Sequence, residues 1–239
     1  MNTRQSEIQT PSEASSLRIG GILLAAGAGS RMGYRPKCLL QLDGQSVLAC
    51  QLNALLKAGA NELWVVLGHH SERIQQEACL RQGPVRTVCN PLPDVGHVSS
   101  LRVGLRAMAS GLDVVLVALA DQPLINAQDV ADVLSAFASR PPGTQMLQPF
   151  VHGLPGNPVV FAASVAHQIL ASEAHVGARQ WQQAHPAELY RWDTPNAHYR
   201  MDVDHEADRQ ALEALTGQCL RWPIDLIADK GPDSPISGN

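Results

Sequence analysis

Apolar positions in this chain fall into short continuous runs, and stretches of helical periodicity separate them. Ile19–Ala26 is unbroken apolar sequence ending at Gly27, the pattern of a strand covered on both faces. Ser46–Ala58 carries its apolar residues at helical spacing and stops at Gly59. The rhythm then repeats. Strands are predicted over Glu62–Leu67, Val85–Cys89 and Asp113–Ala120, and helices over Ser71–Arg81, His97–Met108 and Ala127–Ala138. Ser71 is expected to N-cap the first of these helices, and Gly83 to end it. Runs that are continuous rather than alternating, each followed by a helix, describe βαβ units. The fold class is therefore α/β: a doubly wound, mostly parallel sheet between two helical layers.

After Arg140 the rhythm changes. Met146–Val151 and Val159–Phe161 are short strand candidates around Gly153, Pro155, Gly156 and Pro158. Helices are predicted near Val165–Ala171 and Ala178–Ala184, a strand over Leu189–Trp192, and a closing helix over Ala207–Leu215. Residues 1–17 form a polar leader, 18–216 one domain, and 217–239 a Pro-, Gly- and Asp-rich tail expected to pack loosely.

Composition narrows the possible partners. Lys and Arg number 18 against 22 Asp and Glu, a formal charge of -4. That leaves no basic excess to neutralise a phosphate backbone. Aromatics are 4% of residues, too few for a base-stacking surface, so nucleic acid is not an expected partner. No apolar run reaches the roughly 18 residues of a membrane span, and the leader has no signal-peptide core. The five cysteines lack metal or redox spacing and read as reduced thiols. A cytoplasmic protein is expected.

In open α/β sheets ligands bind beyond the carboxyl ends of the strands. Gly27–Lys37, Asn90–Arg102 and Asp121–Leu124 all fall there. In the first, Gly27, Gly29 and Gly33 let backbone N–H groups turn toward an anion, and Arg31 and Lys37 add positive charge. The alternative is a plain glycine-rich turn with solvated charges. Neither the dinucleotide fingerprint nor the Walker loop fits the glycine spacing. Asp121 ends the most apolar strand and points a carboxylate into the crevice. It is either a divalent-metal ligand or a cap for the next helix, for which Asn126 stands nearer. Asp202 and Asp204 share one face of an extended segment. Ser99 and Ser100 open a helix, where they could hold an anion or cap the helix.

Several strings in order resemble the MobA-like nucleotidyltransferases. They are LLAAGAGSRMG with PKCLLQLDGQSVL, Asn90-Pro91, Gly96–Leu105, Ala120–Leu124, Gly153–Phe161, Gly177-Ala178-Arg179 and Asp202-Val203-Asp204, together spanning about 19–215. Among these enzymes the chain looks nearest to molybdenum cofactor cytidylyltransferase. The resemblance implies transfer of CMP from CTP to the terminal phosphate of a molybdopterin-type cofactor, with pyrophosphate released. It implies nucleotide contacts from Leu24, Ala25, Ala26, Gly27, Gly29, Ser30, Arg31, Lys37 and Ser100. Mg²⁺ would sit on Asp121 and Asp204, catalysis would use Arg31, Lys37 and Asp121, and acceptor contacts would come from Arg102, Gly156 and Asn157. A recipient molybdoenzyme of the xanthine dehydrogenase type, or its maturation chaperone, is the partner it suggests. Relatives that use GTP usually have Gly where Ala26 stands, and one methyl there favours a pyrimidine by only ~1–3 kcal/mol. The chain departs from the family at Asn157, where a His is usual, and at His175-Val176, where an Asp precedes Gly177. Alternatives are GTP with molybdopterin, CTP with a sugar or polyol phosphate, and a non-catalytic cofactor-binding chaperone. A nicotinamide oxidoreductase is disfavoured by the glycine spacing.

Overall fold

The first apolar run becomes β1 (Ile19–Ala25). A small hairpin, β2 (Gln41–Leu42) and β3 (Gln45–Ser46), leads into α1 (Val47–Lys57), whose N-terminus Ser46 caps by accepting from the Ala49 N–H at 3.2 Å. There follow β4 (Glu62–Leu67), α2 (Ser71–Ile74), β5 (Val85–Cys89), α3 (His97–Ala107), β6 (Val114–Leu119) and α4 (Ala127–Ala138). The second half adds β7 (Met146–Val151), β8 (Leu154–Pro155), β9 (Val159–Ala162), α5 (Ala163–Ala171), α6 (Ala178–Ala184) and β10 (Leu189–Asp193). The last elements are α7 (Glu206–Thr216), β11 (Leu220–Arg221) and α8 (Ile224–Ala228). This computed structural model describes residues 17–81 and 83–228, so the leader, Leu17 apart, and the end of the tail lie outside the described residues.

The main sheet has the order β10-β7-β9-β6-β1-β4-β5, with β8 paired to β7. Strands β6, β1, β4 and β5 are mutually parallel, as are β7 and β10, and only β8 and β9 run against the rest. The expected three-layer, mostly parallel architecture is the one found. Central strand β6 is buried along nearly its whole length, whereas edge strand β5 exposes three of its five residues. One apolar cluster packs α1 and α4 on one face through Leu52, Val133 and Phe137. A second packs α3, α5 and α6 on the other through Leu101, Val165 and Trp181. No helix among the described residues is long and apolar enough to cross a membrane.

Two expectations are corrected. The helix expected over Ser71–Arg81 breaks after Ile74 and resumes as a short 3-10 turn at Ala78–Arg81. Ile74, Cys79 and Leu80 are all buried. On one continuous helix Cys79 would lie roughly 140° around the axis from Ile74, so both could not face the same core. Ser71 does not cap this helix either. His70 holds the cap position in left-handed backbone at φ 61°, without a side-chain cap bond.

The tail is not loose at its start. Leu220 is wholly buried with Met32, Leu40, Val47, Val203 and Leu212, and β11 adds an edge to the β2–β3 hairpin. Truncating Leu220 to Ala should therefore lower the unfolding free energy by about 2–5 kcal/mol in urea denaturation, the range for a buried leucine. A loss below ~0.5 kcal/mol would instead match a peripheral residue.

Candidate active site

The carboxyl ends of β1 and β6 open onto one cleft, and the glycine loop after β1 forms its floor. Gly29 is left-handed at φ 64°, and a Cβ there would stand 2.0 Å from the Arg35 carbonyl oxygen. Only glycine fits. Its own carbonyl accepts from the Met32 and Tyr34 N–H groups at 2.9 and 3.0 Å, closing a short turn over Ser30–Met32. Met32 is buried and anchors that turn from below. His70 secures the other side. Its Nε2 lies 2.9 Å from the Ala28 carbonyl, which can only accept, so this nitrogen carries the proton. A Cβ on Gly27, in contrast, would meet no atom within 4 Å, so that residue borders open space.

Charged groups from three distant segments meet above the loop. Lys37 Nζ lies 3.4 Å from Asp121 Oδ2 and donates a short bond to Asp204 Oδ1. Arg31 Nη1 lies 3.4 Å from the other oxygen of Asp204. Asp121 follows β6 directly. Its backbone carbonyl accepts the Val203 N–H at 2.9 Å, which brings the distant Asp204 alongside. Asp208 fixes that segment by accepting the N–H groups of Asp204 and His205. Asp202 is exposed. Asn126, with Asp129, forms the capping box of α4, so Asp121 is not spent as that cap.

Burial pushes the Asp121 carboxyl above its ordinary range, with Lys37 opposing and the Asp202 and Asp204 charges adding to the rise. The Lys37 hydrogen bond holds Asp204 below its ordinary range. Burial would lower Lys37, but the two aspartates outweigh it and raise it instead. Asp121 Oδ1 is buried without a hydrogen-bond partner. That orphaned oxygen, beside a second carboxylate, fits a hard divalent cation. Among the described residues no three His, Cys, Asp or Glu side chains form a cage. A cation that takes one or two carboxylates and completes its shell with phosphate and water suits such a pair better than one needing a full protein cage.

Leu24, Ala26, Gly27, Gly29 and Ser30 line a cavity of about 270 Å³ together with Arg31, Lys37, Ser100, Asp121 and Asp204. Ala25 is buried and faces a smaller recess behind the loop. Pro93, Gly96 and His97 stand in the same wall; they fall in the expected Asn90–Arg102 segment but were given no part of their own. It also gave no role to Asn90, whose Nδ2 donates to Ser99 Oγ at 2.7 Å and Ser100 Oγ at 3.0 Å. The position of Asn90 after β5 and before a proline was the available signal. Gly96 is the cap residue before α3 and there is no side-chain cap bond, so the capping alternative for Ser99 and Ser100 is not the one found.

A second cavity of about 710 Å³ adjoins the first, and Leu24, His97 and Leu119 wall both. It combines apolar surface from Leu101, Val117 and Phe150 with the amides of Gln148, Asn157, Gln182 and Gln183 and with Arg179. Asn157 stands in this wall. Gly156 is not in this wall: it is buried, and a Cβ on it would stand 2.6 Å from the Tyr199 carbonyl oxygen. Arg102 is corrected too. Only 5% exposed, it turns its guanidinium away from the cleft onto backbone carbonyls at and after the end of α5.

A family model described as MobA-like NTP transferase domain matches residues 21–189. The chain belongs to that family. Among curated proteins it is similar to the bifunctional protein GlmU of Mycobacterium ulcerans, 37% identical over 123 residues, 49% of this chain and 25% of the relative. It is also similar to the nicotine blue oxidoreductase of Paenarthrobacter nicotinovorans, 36% identical over 116 residues, 48% of this chain and 55% of the relative. The matched stretch thus spans a quarter of the GlmU chain and about half of the oxidoreductase. Among solved structures, a nucleotidyl transferase from Methanothermobacter superposes with a TM-score of 0.68 at 25% identity, covering 83% of this chain and 97% of that one. In this MobA-like chain Gly29→Ala should cost ~2 kcal/mol or more in chemical denaturation, from left-handed strain plus the Arg35 clash. Gly27→Ala should stay within ~0.5 kcal/mol. Equal effects would remove the geometric distinction between the two glycines.

Proposed function

We propose that this MobA-like protein transfers CMP from CTP to the terminal phosphate of a molybdopterin-type cofactor and releases pyrophosphate. What carries the reading is the Lys37–Asp121–Asp204 cluster in the wall of the smaller cavity, which shares Leu24, His97 and Leu119 with the larger one. The smaller cavity, with loop amides and Arg31, suits a triphosphate. The larger offers Phe150 and aliphatic surface for a flat ring, and amides for the donor and acceptor edges of a pterin. The Ala26 methyl in the nucleotide wall supports a pyrimidine. The product would pass to a molybdoenzyme of the xanthine dehydrogenase type or to its maturation chaperone.

An oxygen of the acceptor phosphate attacks the α-phosphorus of CTP, and the bond from that phosphorus to the bridging oxygen breaks. A phosphate monoester, with a second pKa near 6, is already largely dianionic at neutral pH, so no general base is needed. The difficulty is bringing two anions into line. Lys37 and Arg31 supply positive charge toward the departing pyrophosphate, while Gly29 and its turn fix the loop that receives it. Asp121 and Asp204 would hold Mg²⁺, which supplies neutralisation of the triphosphate charge when bound.

The test is pyrophosphate release and product mass for CTP and GTP against the molybdopterin-type cofactor and a sugar phosphate, with Mg²⁺. The cytosine dinucleotide should form fastest. A preference for GTP or for the sugar phosphate would move the protein to a sister activity. Lys37→Ala and Asp121→Ala should each lower turnover at least ~100-fold in folded protein. The rate should rise with pH through about 6 and then level, following the acceptor dianion. The match to nicotine blue oxidoreductase supports a second reading, an oxidoreductase acting on a ligand in the larger cavity. Oxidation of a reduced nicotinamide without pyrophosphate release would establish it.

A further inference from the structure

Arg102 is a buried cation without a buried anion. It is 5% exposed, and no carboxylate pairs with it among the described residues. A buried charge is costly unless hydrogen bonds compensate it. Here they come from backbone carbonyls. Nη1 donates to Ile169, and to Glu173 and Val176 at 3.2 Å; Nη2 donates to Leu170 at 3.1 Å and Ser172 at 3.2 Å. The first of these acceptors, Ile169 and Leu170, belong to the last turn of α5, where a cation is favoured. The others lie on the connection that follows.

That connection leads straight into the second cavity. It ends at Gly177, where a Cβ would meet Val98 of α3 at 3.0 Å, and there α6 begins. Arg179, Gln182 and Gln183 of α6 line the cavity. Trp181, on the same helix, is buried and bonds back to Gln168 of α5 at 2.7 Å. Helix α3 therefore holds the path of the α5–α6 connection with one planar fork. In its first turn and a little beyond, the same helix contributes His97 and Ser100 to the nucleotide cavity.

We propose that Arg102 is a positioning residue for the acceptor side of the site. It fixes the α5–α6 connection at a set distance from α3, and so sets where Arg179, Gln182 and Gln183 stand in the larger cavity. It touches neither substrate. A lysine keeps the charge but presents its donors from one point, so it cannot span carbonyls on both the helix end and the connection.

The kinetic part of the test rests on the proposed function; the exchange part does not. In nucleotide-free protein, Arg102→Lys and Arg102→Met should raise amide hydrogen exchange at least tenfold over residues 172–184 and leave β1 and β6 unchanged. With CTP and the molybdopterin-type acceptor, the acceptor KM should rise at least tenfold, while the CTP KM and kcat stay within about threefold. Gly177→Ala pushes the end of the same connection against Val98 of α3, a separate contact between the two segments, and should give the same exchange pattern and the same split, which covers the case in which an Arg102 variant fails to fold. The proposal is overturned by exchange that is unchanged over 172–184 or raised throughout the sheet. A parallel rise in both KM values, or local loosening with an unchanged acceptor KM, also overturns it. If wild-type protein turns over no such acceptor, the proposed function fails and the exchange pattern alone decides the role of Arg102.

Discussion

The site depends on holding two carboxylates close together where burial opposes their charge. Lys37 makes this possible, since its ammonium stands against both Asp121 and Asp204. The three residues come from the glycine loop, the end of β6 and the segment before α7, so the pairing also closes the fold around the cleft. One backbone bond, Val203 N–H to the Asp121 carbonyl, carries the alignment. Removing the lysine would leave two anions facing each other with one oxygen already unpartnered. The remaining architecture brings these segments within reach: a parallel sheet places β1 and β6 side by side, and their carboxyl ends deliver the loop and the aspartate to the same edge.

The central strands and α4 were legible because local and global signals agree in them. β6 is apolar throughout and almost wholly buried, and Asn126 was the expected cap before α4, where it forms a capping box with Asp129. That the residues after β1 and β6 line one cleft was legible for the same reason: both follow strands at the same sheet edge. Where signals conflict, the chain alone misleads. Ser71 looks like a cap, but the buried trio Ile74, Cys79 and Leu80 has a spacing no single helix can satisfy. Arg102 looks like an anion ligand because it is basic and near a helix start. Only the position of α5 shows that its partners are carbonyls.

The larger cavity was the least legible part. Its polar wall is assembled from β7, the loop before β9, and α6, through amides that carry no charge pattern along the sequence. Glutamine is common on exposed helices, so Gln182 and Gln183 gave no sign of facing a ligand. His97 was passed over for a similar reason, since a lone histidine opening a helix is ordinary. The antiparallel insertion of β9 between β6 and β7 brings Asn157 to the same cavity as α6. Sequence spacing alone does not reveal that arrangement.

Met32 and Leu220 share one small apolar cluster, and Val203 beside Asp204 belongs to it as well. The floor under the glycine loop is thus laid partly by residues translated after every charged group of the cleft. A nascent polypeptide still tethered before β11 has emerged from the ribosome holds every charged group of the cleft, yet it lacks the last piece of the footing on which they stand.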